Sequence, residues 1–227
     1  GKAAIFKEFA GVDAFPIRLK TQDTEEIISL IKNISPVLGG INLEDISAPR
    51  CFEIEKRLQA ELDIPVMHDD QWGAATVTLV GLINACNLRG TDKKEARIVL
   101  AGVGAAGVAT ARLLIAYGFT HITYVDSKGI ITAARNDITP EKRELLEGST
   151  AEVSDGQLTD ALNNADVFIG LSKGNTVTQD MVRSMAERPI LFTLSNPVPE
   201  IMPELAREAG AFILATGRGD YPNQVNN

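Results

Sequence analysis

Residues 97–107 read Arg-Ile-Val-Leu-Ala-Gly-Val-Gly-Ala-Ala-Gly. The aliphatic run is of the kind carried by a strand buried on both faces. It passes directly into Gly102-x-Gly104-x-x-Gly107, and residues 107–117 continue with helical spacing. Each glycine has a steric reason: Gly102 for a tight turn, Gly104 for close approach of a pyrophosphate to the backbone, Gly107 for close packing of helix on strand. The helix start would offer N–H groups and a partial positive charge to phosphates. A second strand pattern, 121–125 (HITYV), ends at Asp126, 19 residues beyond Gly107, where a carboxylate would accept from a ribose hydroxyl. In this context the pattern points to a bound dinucleotide. A glycine turn at an ordinary βα junction is the alternative. Asp126 favours NAD over NADP, because its charge repels a 2′-phosphate. Lys128, Arg135, Lys142 and Arg143 follow it and could offset that charge, or could form a solvated face, so the choice between NAD and NADP stays open.

Outward from this loop, strand and helix patterns alternate. Upstream come a helix at 24–34 with Asp23 as N-cap, a short strand at 38–43, a charged amphipathic helix at 53–63, a strand at 64–67 and a largely apolar helix at 72–88. Downstream, Thr139-Pro140 caps a helix, and Ser154 and Gln157 have capping-box spacing before a helix to about residue 163. Strands at 166–171, 189–194 and 211–215 alternate with helices at 178–186 and 202–209. Short connections between alternating elements give parallel strands with right-handed crossovers, hence an α/β, doubly wound sheet. A second βα series begins near residue 74. The expected division therefore falls between residues 73 and 74, with 74–227 as a Rossmann-type NAD(P)-binding domain.

The chain has 227 residues, 44% hydrophobic and 23% charged, with a net charge of −8. It is long enough to bury a sizeable core, and no window has the apolar length of a membrane span. The acidic balance argues against nucleic acid, which needs a cationic surface. Two cysteines, Cys51 and Cys86, without C-x-x-C spacing, exclude a disulfide scaffold or a thiolate zinc site and suit a reducing compartment. A cytoplasmic location is expected. The chain starts at Gly1-Lys2 and stops at Asn226-Asn227, and is expected to be a piece of a longer protein.

Two acidic pairs stand at predicted strand ends: Glu44-Asp45 after GGINL and Asp69-Asp70 after IPVMH. Carboxyl ends of adjacent parallel strands face one crevice. Carboxylates gathered there repel one another unless a cation neutralises them, and an all-oxygen set suits Mg²⁺ or Mn²⁺. Helix capping by both pairs is the other reading.

Seven stretches, in order, carry a family resemblance: GKAAIFKEFAGVDAFPI, GGINLEDISAPRCFEIE, IPVMHDDQWGAATV, LAGVGAAGVATARLL, YVDSKGII, LSNPVPE and ATGRGDYPNQVNN. They resemble the bacterial-type malic enzymes, from the first residue to the last, and the resemblance implies that residues 1–73 are part of an α/β substrate- and metal-binding domain. The resemblance implies NAD(P)⁺-dependent oxidation of L-malate at C2, followed by loss of CO₂ to leave pyruvate. It implies that Lys2 is the general base on the malate hydroxyl, that Glu44, Asp45 and Asp70 hold a divalent cation, Mg²⁺ or Mn²⁺, and that Asp69 is a neighbouring catalytic acid. It implies that Gly102, Gly104, Ala105, Ala106 and Gly107 form the dinucleotide loop, that Asn196 lies near nicotinamide and substrate, and that Asn227 binds a substrate carboxylate. A lysine base at neutral pH needs its pKa lowered from about 10.4, which a nearby cation and partial burial would do.

The family's catalytic tyrosine and a malate-binding arginine lie upstream of the lysine and have no counterpart here, neither Tyr124 nor Tyr221 being in a matching context. Trp72 and Ala74 stand where the family usually has His and Thr. The chain alone is therefore expected to bind nucleotide at best and to turn malate over poorly or not at all, and the full-length protein to be a homodimer or higher homo-oligomer. Two other readings use the glycine loop alone. A metal-independent Rossmann dehydrogenase leaves both acidic pairs unexplained, and a non-catalytic NAD(P)-binding module would bind without dehydrogenation.

Overall fold

The computed structural model describes residues 1–226. These form two units, neither of them one continuous stretch: residues 1–41 with 53–66, and residues 42–52 with 67 onward. In chain order the elements are α1 (Lys2–Ala10), α2 (Thr24–Ile34), β1 (Ile41–Leu43), α3 (Arg50–Glu61), β2 (Val66–His68), α4 (Asp69–Arg89), β3 (Ile98–Ala101), α5 (Ala105–Tyr117), β4 (Ile122–Asp126), β5 (Gly129–Ile130), α6 (Pro140–Glu147), α7 (Leu158–Leu162), β6 (Val167–Gly170), α8 (Gln179–Ser184), β7 (Ile190–Thr193), α9 (Pro203–Glu208) and β8 (Ile213–Thr216). Among the described residues, no helix is long and apolar enough to cross a membrane.

In the first unit, the Asp23 side chain accepts from the Glu26 N–H at 2.9 Å and starts α2, satisfying one of the donors a helix start leaves open. Ile27, Ile28 and Ile31 of α2 are buried, as are Ile54 and Leu58 of α3. Charge pairs join the two helices: Arg57 with Glu25, and Lys32 with Glu61. Helix α1 buries none of its residues and ends at Gly11, whose φ of 67° is left-handed. Its apolar residues have no core to mark, so periodicity does not reveal it.

In the second unit, the six-stranded sheet has the order β5-β4-β3-β6-β7-β8. All pairs are parallel except β4 with the two-residue strand β5. Strands β3, β6 and β7 are buried along their whole length, which matches their unbroken aliphatic composition. Alternate residues face two layers. Ile98, Leu100, Ile122, Tyr124, Val167, Ile169, Ile190 and Phe192 pack with Leu82 of α4, Leu114 of α5 and Leu145 of α6. Val99, Ala101, Val125, Phe168 and Leu191 pack on the opposite face with Leu162 of α7, Val182 of α8 and Ala206 of α9. This is the expected doubly wound sheet, helices on both faces.

Three local expectations change. Helix α4 begins at Asp69 rather than 72, because acidic residues are favoured in a first turn. The cap of α7 is Gln157, paired reciprocally with Asp160, rather than Ser154. The strand in the stretch 38–43 is confined to Ile41–Leu43.

At the end of the sheet opposite the glycine loop, Asp166 is nearly buried and joins three elements. It accepts from Arg89 at the end of α4 (2.7 Å), from the Arg97 side chain (2.9 and 3.1 Å) and from the Arg97 N–H (2.9 Å). Burial opposes its charge, but these bonds outweigh burial and hold the carboxyl below the ordinary range. Removing one partner of such a network leaves uncompensated charge. Asp166→Ala is expected to destabilise the fold by about 3 kcal/mol, measured by denaturant unfolding. A loss no larger than that of an exposed pair would refute the assignment.

Candidate active site

Chain order reverses between β3 and β6, and the crevice beyond the carboxyl ends of the strands at such a point is where doubly wound sheets bind ligands. The glycines meet three different surroundings there. Gly102 has φ 99°, and a Cβ on it would lie 2.5 Å from the Leu171 carbonyl oxygen, in the turn after β6. A Cβ on Gly107 would lie 1.9 Å from the carbonyl oxygen of Gly102, so α5 can start there only with no side chain. Gly104 has nothing within 4 Å; it precedes α5 as an N-cap that makes no side-chain hydrogen bond. Ala105 and Ala106 form the first turn of α5 behind it.

Asp126 ends β4, next to this loop in the sheet. Its Oδ1 accepts from the Lys128 N–H and Arg135 Nη1, both at 2.9 Å, and its Oδ2 from Arg135 Nη2 at 3.0 Å and Lys142 Nζ at 2.7 Å. Burial works against the charge, and these donors outweigh it, holding the carboxyl down to about 2. Two of the four downstream cations, Arg135 and Lys142, are thus direct partners of Asp126. Lys128 pairs through its ammonium with Asp137 at 2.5 Å.

Asn196 is exposed in the turn after β7, preceding Pro197 through a cis peptide. Beneath it lies a residue that motif reading passes over. Glu200 is fully buried; it accepts from Ser195 Oγ at 2.6 Å, from the Ser195 N–H at 3.2 Å and from the Ser172 N–H at 3.3 Å. Burial pushes its carboxyl above the ordinary range, against the pull of those bonds. The Glu200 side chain thereby ties the turns after β6 and β7 together. A Cβ on Gly170 would lie 2.3 Å from Glu200 Cδ, so the glycine ending β6 makes room for the glutamate. The signal was the acid closing LSNPVPE, unremarkable without knowledge of its burial. Asn227 lies outside the described residues; residues before it run beside β8, with the Val225 N–H donating to the Thr216 carbonyl at 2.8 Å.

Oxygens of Glu44, Asp69 and Asp70 lie within 4.8 Å of one another, the one such group among the described residues. The expected ligands were Glu44, Asp45 and Asp70. The structure gathers Asp69 with Glu44 and Asp70, while Asp45, with φ 58°, donates its backbone N–H to Asp70 Oδ2 at 2.9 Å. Asp tolerates this left-handed conformation better than most residues. Buried His68 lies with Nε2 3.6 Å from the same Asp70 oxygen. The N-cap of α4 is His68, without a side-chain cap bond, Asp69 and Asp70 fill the first turn of that helix, and α3 begins only at Arg50. Oxygen donors alone, this close, are a set that a hard divalent cation fits. Lys2, partly buried, opens α1 in the first unit.

The family model described as "Malic enzyme, NAD binding domain" matches residues 72–227, and "Malic enzyme, N-terminal domain" matches 20–59. The chain belongs to the malic enzyme family. It is 52% identical to the bifunctional malic/malolactic enzyme of Bacillus subtilis and 52% identical to an NAD-dependent malic enzyme of Geobacillus stearothermophilus, over 100% of its own length and 56% and 47% of theirs. The NAD-dependent malic enzyme structure from Thermotoga maritima superposes with a TM-score of 0.95 at 47% identity, covering 99% of this chain and 60% of that one. The chain thus spans about half the length of these two curated malic enzymes. NADP-dependent malic enzymes are also among its relatives, as in Rhizobium meliloti at 46% identity. Tyr124 is buried in the sheet core.

Gly107→Ala is expected to lower the thermal midpoint markedly, whereas Gly104→Ala, opening onto free space, is expected to leave it nearly unchanged; equal effects would refute this account of the turn. A carboxyl with a depressed pKa stabilises the fold above its unfolded value of 3.8 and loses that contribution as pH falls toward 2. The midpoint difference between the native chain and Asp126→Asn is therefore expected to hold from neutral pH to about 5 and to shrink below about 4.

Proposed function

We propose that the protein carrying this chain oxidises L-malate to pyruvate and CO₂, with reduction of NAD(P)⁺, in the cytoplasm and with a divalent cation, Mg²⁺ or Mn²⁺. Family membership supports the reaction, and the observation that carries the cation is the Glu44, Asp69, Asp70 cluster. Glu44 and Asp70 belong both to this cluster and to the set implied by resemblance; Asp45 and Asp69 complete the group of donors. Bound there, the cation would supply Lewis acidity to the oxygen on which negative charge develops as CO₂ leaves.

The chain's own residues do the rest in this reading. Lys2 Nζ takes the proton from the C2 hydroxyl. Gly104, Ala105 and Ala106 bring backbone N–H groups at the start of α5 to the pyrophosphate. The side-chain amide of Asn196 orients substrate against the nicotinamide, held in place by the bonds from Ser195 to Glu200. Asn227 binds a malate carboxylate.

In a protein of the relatives' full length, malate, NAD(P)⁺ and Mn²⁺ together are expected to raise the near-ultraviolet absorbance of reduced nicotinamide, and a chelator to abolish the rise. Asp70→Asn is expected to lower kcat/KM by more than about tenfold, the smallest loss typical of partners outside the ligand set. Turnover unaffected by chelation would overturn the cation role and favour a metal-independent dehydrogenase; nucleotide binding without turnover would favour a binding module.

A further inference from the structure

An acid at the end of the second Rossmann strand ordinarily selects NAD⁺, because it accepts from the ribose diol and repels a 2′-phosphate. Both effects require a carboxylate with free lone pairs and uncompensated charge. Asp126 has neither. A carboxylate offers about four acceptor positions, and here the Lys128 N–H, two Arg135 nitrogens and Lys142 Nζ supply four donors at 2.7–3.0 Å. The side chains of Asp126, Arg135 and Lys142 are each less than one-fifth exposed, so water screens these contacts only weakly.

The surroundings carry excess positive charge. The Arg135 fork lies between two carboxylates, reaching Asp137 at 2.9 and 3.0 Å as well as Asp126. With Lys128 pairing to Asp137, three cations face two acids. Lys128 is two-thirds exposed and can turn from Asp137 toward an incoming anion. A 2′-phosphate would meet charge-assisted donors at this edge of the crevice, while a ribose hydroxyl would have to displace one of them from Asp126.

We propose that Lys142 and Arg135 are specificity-determining residues. By neutralising Asp126 they open the adenosine end of the site to phosphorylated ribose, so that the chain binds NADP(H) at least as well as NAD(H). This rests on the dinucleotide reading of the glycine loop. It assigns Asp126 the role of anchoring two cations rather than that of accepting from ribose.

The test is fluorescence titration of this chain with NADPH and with NADH, native and as Lys142→Met, which keeps the aliphatic stem and removes the ammonium. The native chain is expected to bind NADPH no more weakly than NADH. Lys142→Met is expected to weaken NADPH relative to NADH by about tenfold, the worth of one charged hydrogen bond, and Lys142→Arg to restore the native ratio. Native preference for NADH, or a ratio that Lys142→Met leaves unchanged, would overturn the proposal while leaving the dinucleotide site standing. Binding of neither nucleotide would overturn the dinucleotide reading and the proposal together.

Discussion

No side chain fits between Gly107 and the carbonyl oxygen of Gly102, where a Cβ would have 1.9 Å of room. That contact fixes where α5 can begin relative to the end of β3. Since β3 is the central strand at which chain order reverses, it also fixes which end of α5 opens on the crevice. On the other side of Gly102, the carbonyl of Leu171 leaves only 2.5 Å, so the turns after β3 and β6 are pressed together. Glu200 then couples the turn after β6 to the turn after β7 through Ser172 and Ser195. The chain of constraints runs from two glycines to the position of Asn196, through hard contacts and buried hydrogen bonds rather than through the exposed loops themselves.

Buried acids serve opposite purposes at the two ends of the sheet. Asp166 lies between Arg89 and Arg97 and stays charged, because four donors reach it. Glu200 accepts from the Ser172 and Ser195 N–H groups and from the Ser195 hydroxyl, and burial pushes its carboxyl above the ordinary range despite them. The first pins strand starts together, where rigidity is the requirement. The second lies beneath Asn196 and ties the turns after β6 and β7 together.

What the sequence made legible follows from which forces leave a pattern. Strands β3, β6 and β7 are buried on both faces, so burial alone dictates their residues and the aliphatic runs disclose them. Asp23 and Thr139 were readable as caps because capping needs one side chain at one place. The glycine loop was readable because sterics at Gly102 and Gly107 admit no other residue. Contacts between residues distant in sequence left no such trace. Nothing local says that Asp69 joins Glu44 while Asp45 offers its backbone to Asp70, or that Glu200 waits beneath Gly170. Family resemblance named the acids, and only the three-dimensional arrangement shows which of them share a space. Helix α1 escaped for a different reason: a helix that buries none of its residues has no periodic stripe to read.

A chain of net charge −8 that carries a glycine loop at a helix start and also gathers three carboxylates keeps two opposite fields apart. It does so by local bookkeeping of donors rather than by overall charge. At the glycine loop, the positive partial charge comes from backbone N–H groups at a helix start, which carry no ionisable group and no pH dependence. At Asp126, three cations outnumber the acids they face. At Glu44, Asp69 and Asp70, the acids stand together, and the Asp45 N–H donates to Asp70. The two acidic sites of this chain differ in kind: at one a single carboxylate gathers cationic side chains, and at the other three carboxylates share one small space.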